Sequence, residues 1–189
     1  MRHSVTKKEA AFLRHNQIRA KEPHLHQAGG KLPRFVADVM LGRLAKWLRI
    51  AGFDVLYSNS YSDDELIALS NGEGRILLSL DTRLLIRKSV RQFVFLESQN
   101  VQDQIRQILR ATRIKHLSSL LTRCLNCNET LIDIAREDVR NSVPKYVYET
   151  HYRFKSCPKC RRIFWAGSHR RSVHRTLGKI LRAAVETSE

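Results

Sequence analysis

The sequence contains four cysteines, which form two C-x-x-C pairs, Cys124 with Cys127 and Cys157 with Cys160. Two such pairs on separate loops supply the four thiolates of a closed tetrahedral zinc site, in which no position is left open for catalysis. Two redox-active or disulfide-bonded pairs are the alternative. The pairs are 29 residues apart, more than the roughly 15–20 typical of this motif. The spacing therefore predicts one structural zinc ion in a zinc ribbon that carries an inserted hairpin.

A second group of candidate residues is acidic. Asp38 and Asp81 each follow a short apolar run, and Asp63, Asp64 and Glu65 open the helix expected after another such run. Carboxylates are preferred ligands of Mg²⁺ and Mn²⁺, and such ions activate water for phosphodiester cleavage. Each acid also suits the first turn of a helix, where it would only cap backbone N–H groups.

The elements that would position these acids alternate between strands and helices from residue 34 onward. Short apolar strands are expected near residues 34–37, 53–57, 75–80 and 93–96, with helices between and after them. Nearly continuous apolar strands that alternate with helices predict a doubly wound parallel sheet. Because the carboxyl ends of parallel strands share one edge of the sheet, we expect Asp38, Asp63 and Asp81 to converge there.

The charge of the chain indicates what it binds. Lys and Arg number 34 against 18 Asp and Glu, a net charge of +16, which favours a polyanionic partner such as nucleic acid. No apolar run approaches the roughly 18 residues of a membrane span, and no signal-peptide pattern is present. We therefore expect a soluble protein in a reducing compartment, the cytoplasm first, with the mitochondrion or nucleus as alternatives. The sequence does not define the oligomeric state.

Several basic residues are candidates for contacts with RNA phosphates. They are Arg43, Lys46 and Arg49 on the first helix of the sheet domain, Lys159, Arg161 and Arg162 around the second cysteine pair, and His169 beyond it. Phosphate contacts from Lys and Arg provide much of the affinity for nucleic acid. For Arg43, Lys46 and Arg49, the commoner meaning of such spacing is a helix face that contacts only solvent.

Both ends of the chain are basic. Residues 1–33 include a capping-box pattern from Thr6 to Glu9 and helix-compatible residues after it, which predicts a basic arm with one short helix. A solvated tail, an RNA-contacting arm and a mitochondrial presequence are all compatible with this composition. Residues 169–189 are expected to form a basic amphipathic helix.

Taken together, these motifs resemble the Mut-seven C-terminal RNase family, a branch of the PIN-like nucleases. The resemblance spans about residues 34–170. In the first half it rests on the segment from Asp38 to Asp54, on Asp63-Asp64-Glu65-Leu66, and on Arg75-Ile76-Leu77-Leu78 leading to Asp81. In the second half it rests on Arg123-Cys124-x-x-Cys127-Asn128, Val143-Pro144, Cys157-x-x-Cys160 and Trp165-x-Gly167-Ser168-His169.

The resemblance implies a PIN-like domain at 34–121, a zinc ribbon at 122–168, and Mg²⁺- or Mn²⁺-dependent endonucleolytic cleavage of RNA. It assigns catalysis to Asp38, Asp63 and Asp81, with Asp64 and Glu65 as neighbours. Family members commonly carry Arg before the third acid, where this chain has Leu80. A catalytically inactive RNA-binding or ribosome-associated protein is therefore the main alternative, and a DNA-binding regulator is a weaker one.

Overall fold

The computed structural model describes residues 6–16, 32–117, 119–167 and 169–186, without the side chains of Glu9, Ala10, Asn16 and His169. Seven helices and seven strands are present in these ranges, with 3₁₀ turns at Val39–Leu41 and Glu137–Val139. In chain order the helices and strands are α1 Lys7–Asn16, β1 Arg34–Ala37, α2 Gly42–Ile50, β2 Asp54–Tyr57, α3 Asp63–Glu73, β3 Ile76–Ser79, α4 Thr82–Leu85, β4 Phe93–Phe95, α5 Val101–Ala111, β5 Ile132–Ile134, α6 Lys145–Thr150, β6 Phe154–Ser156, β7 Ile163–Trp165 and α7 His169–Glu186.

The first four strands form one sheet in the order β2-β1-β3-β4, and every neighbouring pair is parallel. The central strands β1 and β3 are apolar along most of their length because both faces of the sheet are covered. The expected parallel α/β sheet is confirmed, and the four strands lie where the apolar runs predicted them.

Each face of the sheet packs against its own set of helices. Phe35 and Ala37 of β1 belong to a core that includes buried residues of α2, α5 and α7. Val36, which points to the other face, belongs to a second core with residues of α3, α4 and β4. Two cores on opposite sides of one sheet are what a doubly wound fold requires.

Helix α1 adds to the second core through Leu13. Leu13 is fully buried among residues that include Leu66, Leu84 and Leu85. Arg14 donates a 2.9 Å hydrogen bond to Glu97, which lies just beyond β4. The short helix expected near the start of the chain is thus present, and it packs against the body of the protein.

The second sheet is small and antiparallel, in the order β5-β6-β7. The predicted hairpin between the cysteine pairs corresponds in part to β5 and β6, which form an antiparallel pair with Ile132 opposite Ser156. The long connection inside it contains a 3₁₀ turn and α6, which the sequence did not predict. Phe154 is buried there with Val139 and Val147.

In the described ranges, no helix combines the length and apolar character that crossing a membrane requires.

Candidate active site and metal centre

Asp38 lies directly after β1, where its N–H continues the pairing with β3 by donating to the carbonyl of Leu78 at 3.0 Å. Its side chain is only 6% exposed. One carboxylate oxygen accepts a 2.6 Å hydrogen bond from the N–H of Val39, and the other accepts one of 2.5 Å from Ser79 Oγ. Burial raises the pKa of Asp38, the two hydrogen bonds oppose that rise, and the negative charges of Asp81 and Asp63 add to it.

Ser79, the last residue of β3, links two of the acids. Its hydroxyl donates to Asp38 and accepts a 2.9 Å hydrogen bond from the N–H of Asp81. The side chain is completely buried, so its orientation is set by these two partners. Sequence reasoning missed this residue, although its position at a strand end, two residues before an acid, could have identified it.

Asp81 directly precedes α4 and caps it by accepting a 2.8 Å hydrogen bond from the N–H of Arg83. The capping interpretation is therefore correct for this acid, but the cap occupies one oxygen of a half-buried carboxylate. The preceding Leu80 packs against the core on the α2 side of the sheet. Leu80 thus has a packing role in this chain.

The acids after β2 are exposed at the start of α3. Glu65 completes a capping box with Ser62, and hydrogen bonds from Ser62 lower its pKa. Asp63 and Asp64 both face Arg87, which donates to Asp64 and lies 3.8 Å from Asp63. Glu65 therefore caps the N-terminus of α3. Of these acids, Asp63 is the one whose negative charge contributes to the raised pKa of Asp38.

The turn after Asp38 is held by Tyr57, the last residue of β2. Its hydroxyl donates a 3.0 Å hydrogen bond to the carbonyl of Val39. A Cβ atom at Gly42 would lie 2.6 Å from that hydroxyl oxygen. Glycine is thus needed where α2 begins, because Tyr57 occupies the space beside it.

The four cysteines are brought together by the ribbon. Their sulfur atoms all lie within 4.8 Å of one another, and Cys124 Sγ is 3.7 Å from Cys160 Sγ, too far for a disulfide bond. All four are free thiols. They are positioned to bind a metal ion, and four thiolates at this separation are compatible with structural zinc.

The two cysteine loops have the same backbone design. The second cysteine of each pair donates its N–H to the sulfur of the first at 3.4 Å. The next residue, Asn128 in one loop and Arg161 in the other, has a positive φ of 67° or 59°. The N–H of that residue donates a hydrogen bond of 2.8–2.9 Å to the carbonyl of the first cysteine. A hydrogen bond from the Arg162 backbone lowers the pKa of Cys160 to about 7. The neighbouring Cys160 raises the pKa of Cys127 to about 12, and burial raises that of Cys124, so a bound cation is needed to hold all four as thiolates.

Among the described residues, the cysteines form the one group of potential metal ligands whose ligand atoms are gathered this closely. The three aspartates are less tightly grouped, although Asp63 and Asp81 are near enough to raise the pKa of Asp38. Carboxylate oxygens are suitable ligands for Mg²⁺ or Mn²⁺.

Arg49 does not lie on an RNA-accessible surface, contrary to expectation. It is only 4% exposed, and its guanidinium donates to the carbonyl of Val55 at 2.8 and 3.1 Å. It also donates to the carbonyls of Leu125 and Asn126, inside the first cysteine loop. Its role is to join α2 and β2 to the ribbon.

A polar network extends this junction along β2, an edge strand of the sheet. Asn128 accepts a 2.9 Å hydrogen bond from the N–H of Val55 and donates one of 2.7 Å to Asp54. Asp54 is also paired with Arg75 at 2.6 Å and lies 3.9 Å from Arg123. Burial favours a higher pKa for Asp54, but hydrogen bonds from Arg75 and Asn128, with the charges of both arginines, lower it.

The other basic candidates are placed as follows. Arg43 and Lys46 are exposed on α2, and Lys159, Arg161 and Arg162 are exposed at the second cysteine loop. His169 begins α7, but its side chain lies outside the described residues. Of these described candidates, the exposed ones thus form two groups, one on α2 and one on the ribbon.

A parallel sheet with aspartates at its carboxyl edge, joined to a ribbon with four clustered thiols, is consistent with a PIN-like fold that carries a zinc site. The Mut7-C RNAse domain family matches residues 33–177, which is more than half of the chain. The chain therefore belongs to this family, and membership indicates a ribonuclease-type function with RNA as the substrate. No curated protein and no solved structure matches the chain.

Proposed function

We propose that this protein is a metal-dependent endoribonuclease whose active site comprises Asp38, Asp63 and Asp81. The observation that carries this proposal is the buried Asp38 carboxylate, whose pKa is raised by burial and by the charges of Asp81 and Asp63. Acids held near one another at a strand edge, in a chain of net charge +16, are typical of a site for a hard cation.

When bound at these carboxylates, Mg²⁺ or Mn²⁺ would supply a Lewis acid that activates water and neutralises charge on the scissile phosphate. The chain contributes the positions of the ligands. Ser79 orients Asp38 and the backbone of Asp81 together, and Tyr57 supports the turn that follows Asp38. Asp64 is exposed and paired with Arg87, so we assign it a supporting role.

RNA would be held by the exposed basic groups on both parts of the molecule. Arg43 and Lys46 of α2, with Lys159, Arg161 and Arg162 of the ribbon, are suited to phosphate contacts. A ribosomal or other ribonucleoprotein RNA is a reasonable target for so basic a chain. The proposed location is a reducing compartment that contains RNA, the cytoplasm first, because zinc requires the cysteines as thiolates.

We propose zinc as the ion at the four cysteines, in a structural role. Four thiolates complete a tetrahedral site, which leaves no coordination position for substrate. The first cysteine loop accepts two hydrogen bonds from Arg49, so a zinc ion there would stabilise the junction between the ribbon and β2.

One observation supports a second candidate function, a catalytically inactive RNA-binding protein. Among the described residues only the cysteines form a tight group of metal ligands, and Asp63 and Asp64 already have Arg87 as a cationic neighbour. In such a protein the acids would serve only as helix caps and ion-pair partners.

The experiment that separates these functions measures cleavage and binding of the same RNAs. Single-stranded and structured RNAs, labelled at either end, are incubated with the protein in Mg²⁺, in Mn²⁺ and in EDTA. Internal cuts that require a divalent ion support the nuclease. Tight binding of these RNAs that is indifferent to divalent ions, with no cutting of any of them, would instead support the RNA-binding protein.

A further inference from the structure

Two arginines that the sequence analysis did not single out face the acids at the sheet edge. Arg83 of α4 has its Nε 4.0 Å from Asp81 Oδ1. Arg87, four residues later and beyond the end of α4, lies 3.8 Å from Asp63 and donates to Asp64. The two outer acids of the proposed site therefore each have an arginine from the same short segment.

Both ion pairs are on the surface, where each arginine can exchange its carboxylate partner for another anion. The Arg83 side chain is 71% exposed and that of Arg87 is 40% exposed, and exposed pairs contribute only about 0–1 kcal/mol to stability. These two ion pairs therefore contribute little to the stability of the folded protein. The common feature of the two arginines is that each lies beside a carboxylate proposed to bind a divalent cation.

A divalent cation and Arg87 would compete for Asp63. Both are positively charged, so occupancy of the carboxylate by the cation weakens the hold of Asp63 on the guanidinium. The N–H groups of the guanidinium would then be free to bind a phosphate beside the reacting group. Two of these N–H donors are parallel and coplanar, which matches the two non-bridging oxygens of a phosphodiester. Arg83 is exposed enough to reach a second phosphate in the same way.

We propose that Arg83 and Arg87 form a binding site for the phosphodiester backbone of RNA, with Arg87 passing from Asp63 to a phosphate when the divalent ion binds. This inference rests on the proposed nuclease function and adds residues that position the substrate. It also gives the segment after β3 a cationic group close to the acids, although Leu80 itself is apolar and packs, partly buried, against the core.

The test compares Arg87→Met and Arg83→Met with Arg91→Met. Arg91 is an exposed arginine four residues beyond Arg87, and no ion pair involves it in the described part of the chain. The first measurement is RNA affinity in Ca²⁺ across a salt series. We expect each of the two variants to bind RNA about tenfold more weakly, with a salt dependence lowered by about 0.7 in log–log slope, while Arg91→Met stays near the wild type.

The second measurement is Mn²⁺ affinity by calorimetry without RNA. Removal of a competing cation should make Arg87→Met bind Mn²⁺ more tightly than the wild type, by about threefold or more, given the size of exposed ion pairs. Arg87→Lys keeps the positive charge but lacks the paired, planar N–H donors of arginine. It should bind Mn²⁺ as the wild type does, and it should bind RNA more tightly than Arg87→Met but more weakly than the wild type. Melting temperatures confirm that each variant is folded.

Folded Arg87→Met and Arg83→Met proteins that bind RNA as the wild type does, with an unchanged salt slope, would overturn this inference. The nuclease proposal would survive that result if the wild type still cuts RNA with Mn²⁺. A wild type that neither binds Mn²⁺ outside the cysteine site nor cuts RNA removes both proposals, so the two failures are distinguishable.

Discussion

Arg49 on α2 donates a 2.8 Å hydrogen bond to the carbonyl oxygen of Leu125, 76 positions later in the chain and inside the first cysteine loop. The same guanidinium bonds to the carbonyl of Val55 on the edge strand β2. The cysteine loop and the sheet edge are therefore joined through one buried side chain. A change at the metal centre should consequently be felt in the sheet domain.

Replacement of Arg49 by Leu should destabilise the protein by about 3 kcal/mol. The substitution removes donors from buried carbonyl oxygens, and each unsatisfied group costs about 1–3 kcal/mol. Urea unfolding followed by circular dichroism measures the change. Lys46→Leu, on the exposed side of the same helix, is the matched control and should differ from the wild type by less than about 0.5 kcal/mol. Equal stability of the two variants would show that the junction contributes nothing.

Removal of zinc should loosen the edge of the sheet as well as the ribbon. The purified protein is expected to contain one zinc per chain, and a strong chelator should lower its melting temperature. Hydrogen exchange at the Val55 N–H, which donates to Asn128 beside the cysteine loop, should accelerate strongly. The Leu77 N–H, which donates to Gln92, should change much less. Protection at Val55 that survives chelation would contradict the proposed coupling.

The ion pair between Asp54 and Arg75 predicts a specific dependence of stability on pH. The pKa of Asp54 is lower in the folded protein than its ordinary value of 3.8, so its stabilising contribution is complete above 3.8 and is lost as the pH falls through the lowered value. Asp54→Asn should cost about 1–3 kcal/mol at pH 7, because it removes one of the two carboxylates paired with the buried Arg75 and leaves only Glu73.

The measurement is the difference in unfolding free energy between the wild type and Asp54→Asn at a series of pH values. Acid also releases zinc from both proteins, so the difference between them isolates Asp54. The difference should narrow only below about pH 4. A constant difference down to pH 2 would be inconsistent with the lowered pKa.

Leu13 tests whether α1 is part of the folded body. The side chain is fully buried against α4, so Leu13→Ala should destabilise the protein by about 2–4 kcal/mol. Lys8→Ala on the same helix removes an exposed side chain and should have almost no effect. Thermal and urea unfolding compare the two variants. If Leu13→Ala is as neutral as Lys8→Ala, the helix is not docked in solution.

The sequence predicted the sheet well because its signals are local. Apolar runs ended by Asp38 and Asp81 marked strands and their carboxyl ends, and Ser62 with Glu65 marked a helix start. The cysteine spacing likewise predicted a four-thiol site, which the structure contains. Each of these predictions depends on a short motif, although the two cysteine pairs are themselves 29 residues apart.

Predictions that depended on tertiary contacts were less successful. Arg43, Lys46 and Arg49 were grouped as one row, but a step of three residues falls about 60° short of a full helical turn. Arg49 therefore lies about 120° around α2 from Arg43, towards the ribbon and not towards solvent. Docking of Leu13 could not be predicted either, because one leucine in a basic helix carries no periodic signal.

The most direct test of the nuclease proposal is the Mn²⁺-dependent cleavage rate of one end-labelled RNA under single-turnover conditions, for the wild type, Asp38→Asn and Asp133→Asn. Asp133 is an exposed acid on the ribbon, paired with Lys155, and its variant should cut at the wild-type rate. Asp38→Asn should be folded but slower by about 1,000-fold, equivalent to about 4 kcal/mol of transition-state stabilisation. Equal cleavage rates for all three proteins, or no metal-dependent cleavage by the wild type, would contradict the proposed active site.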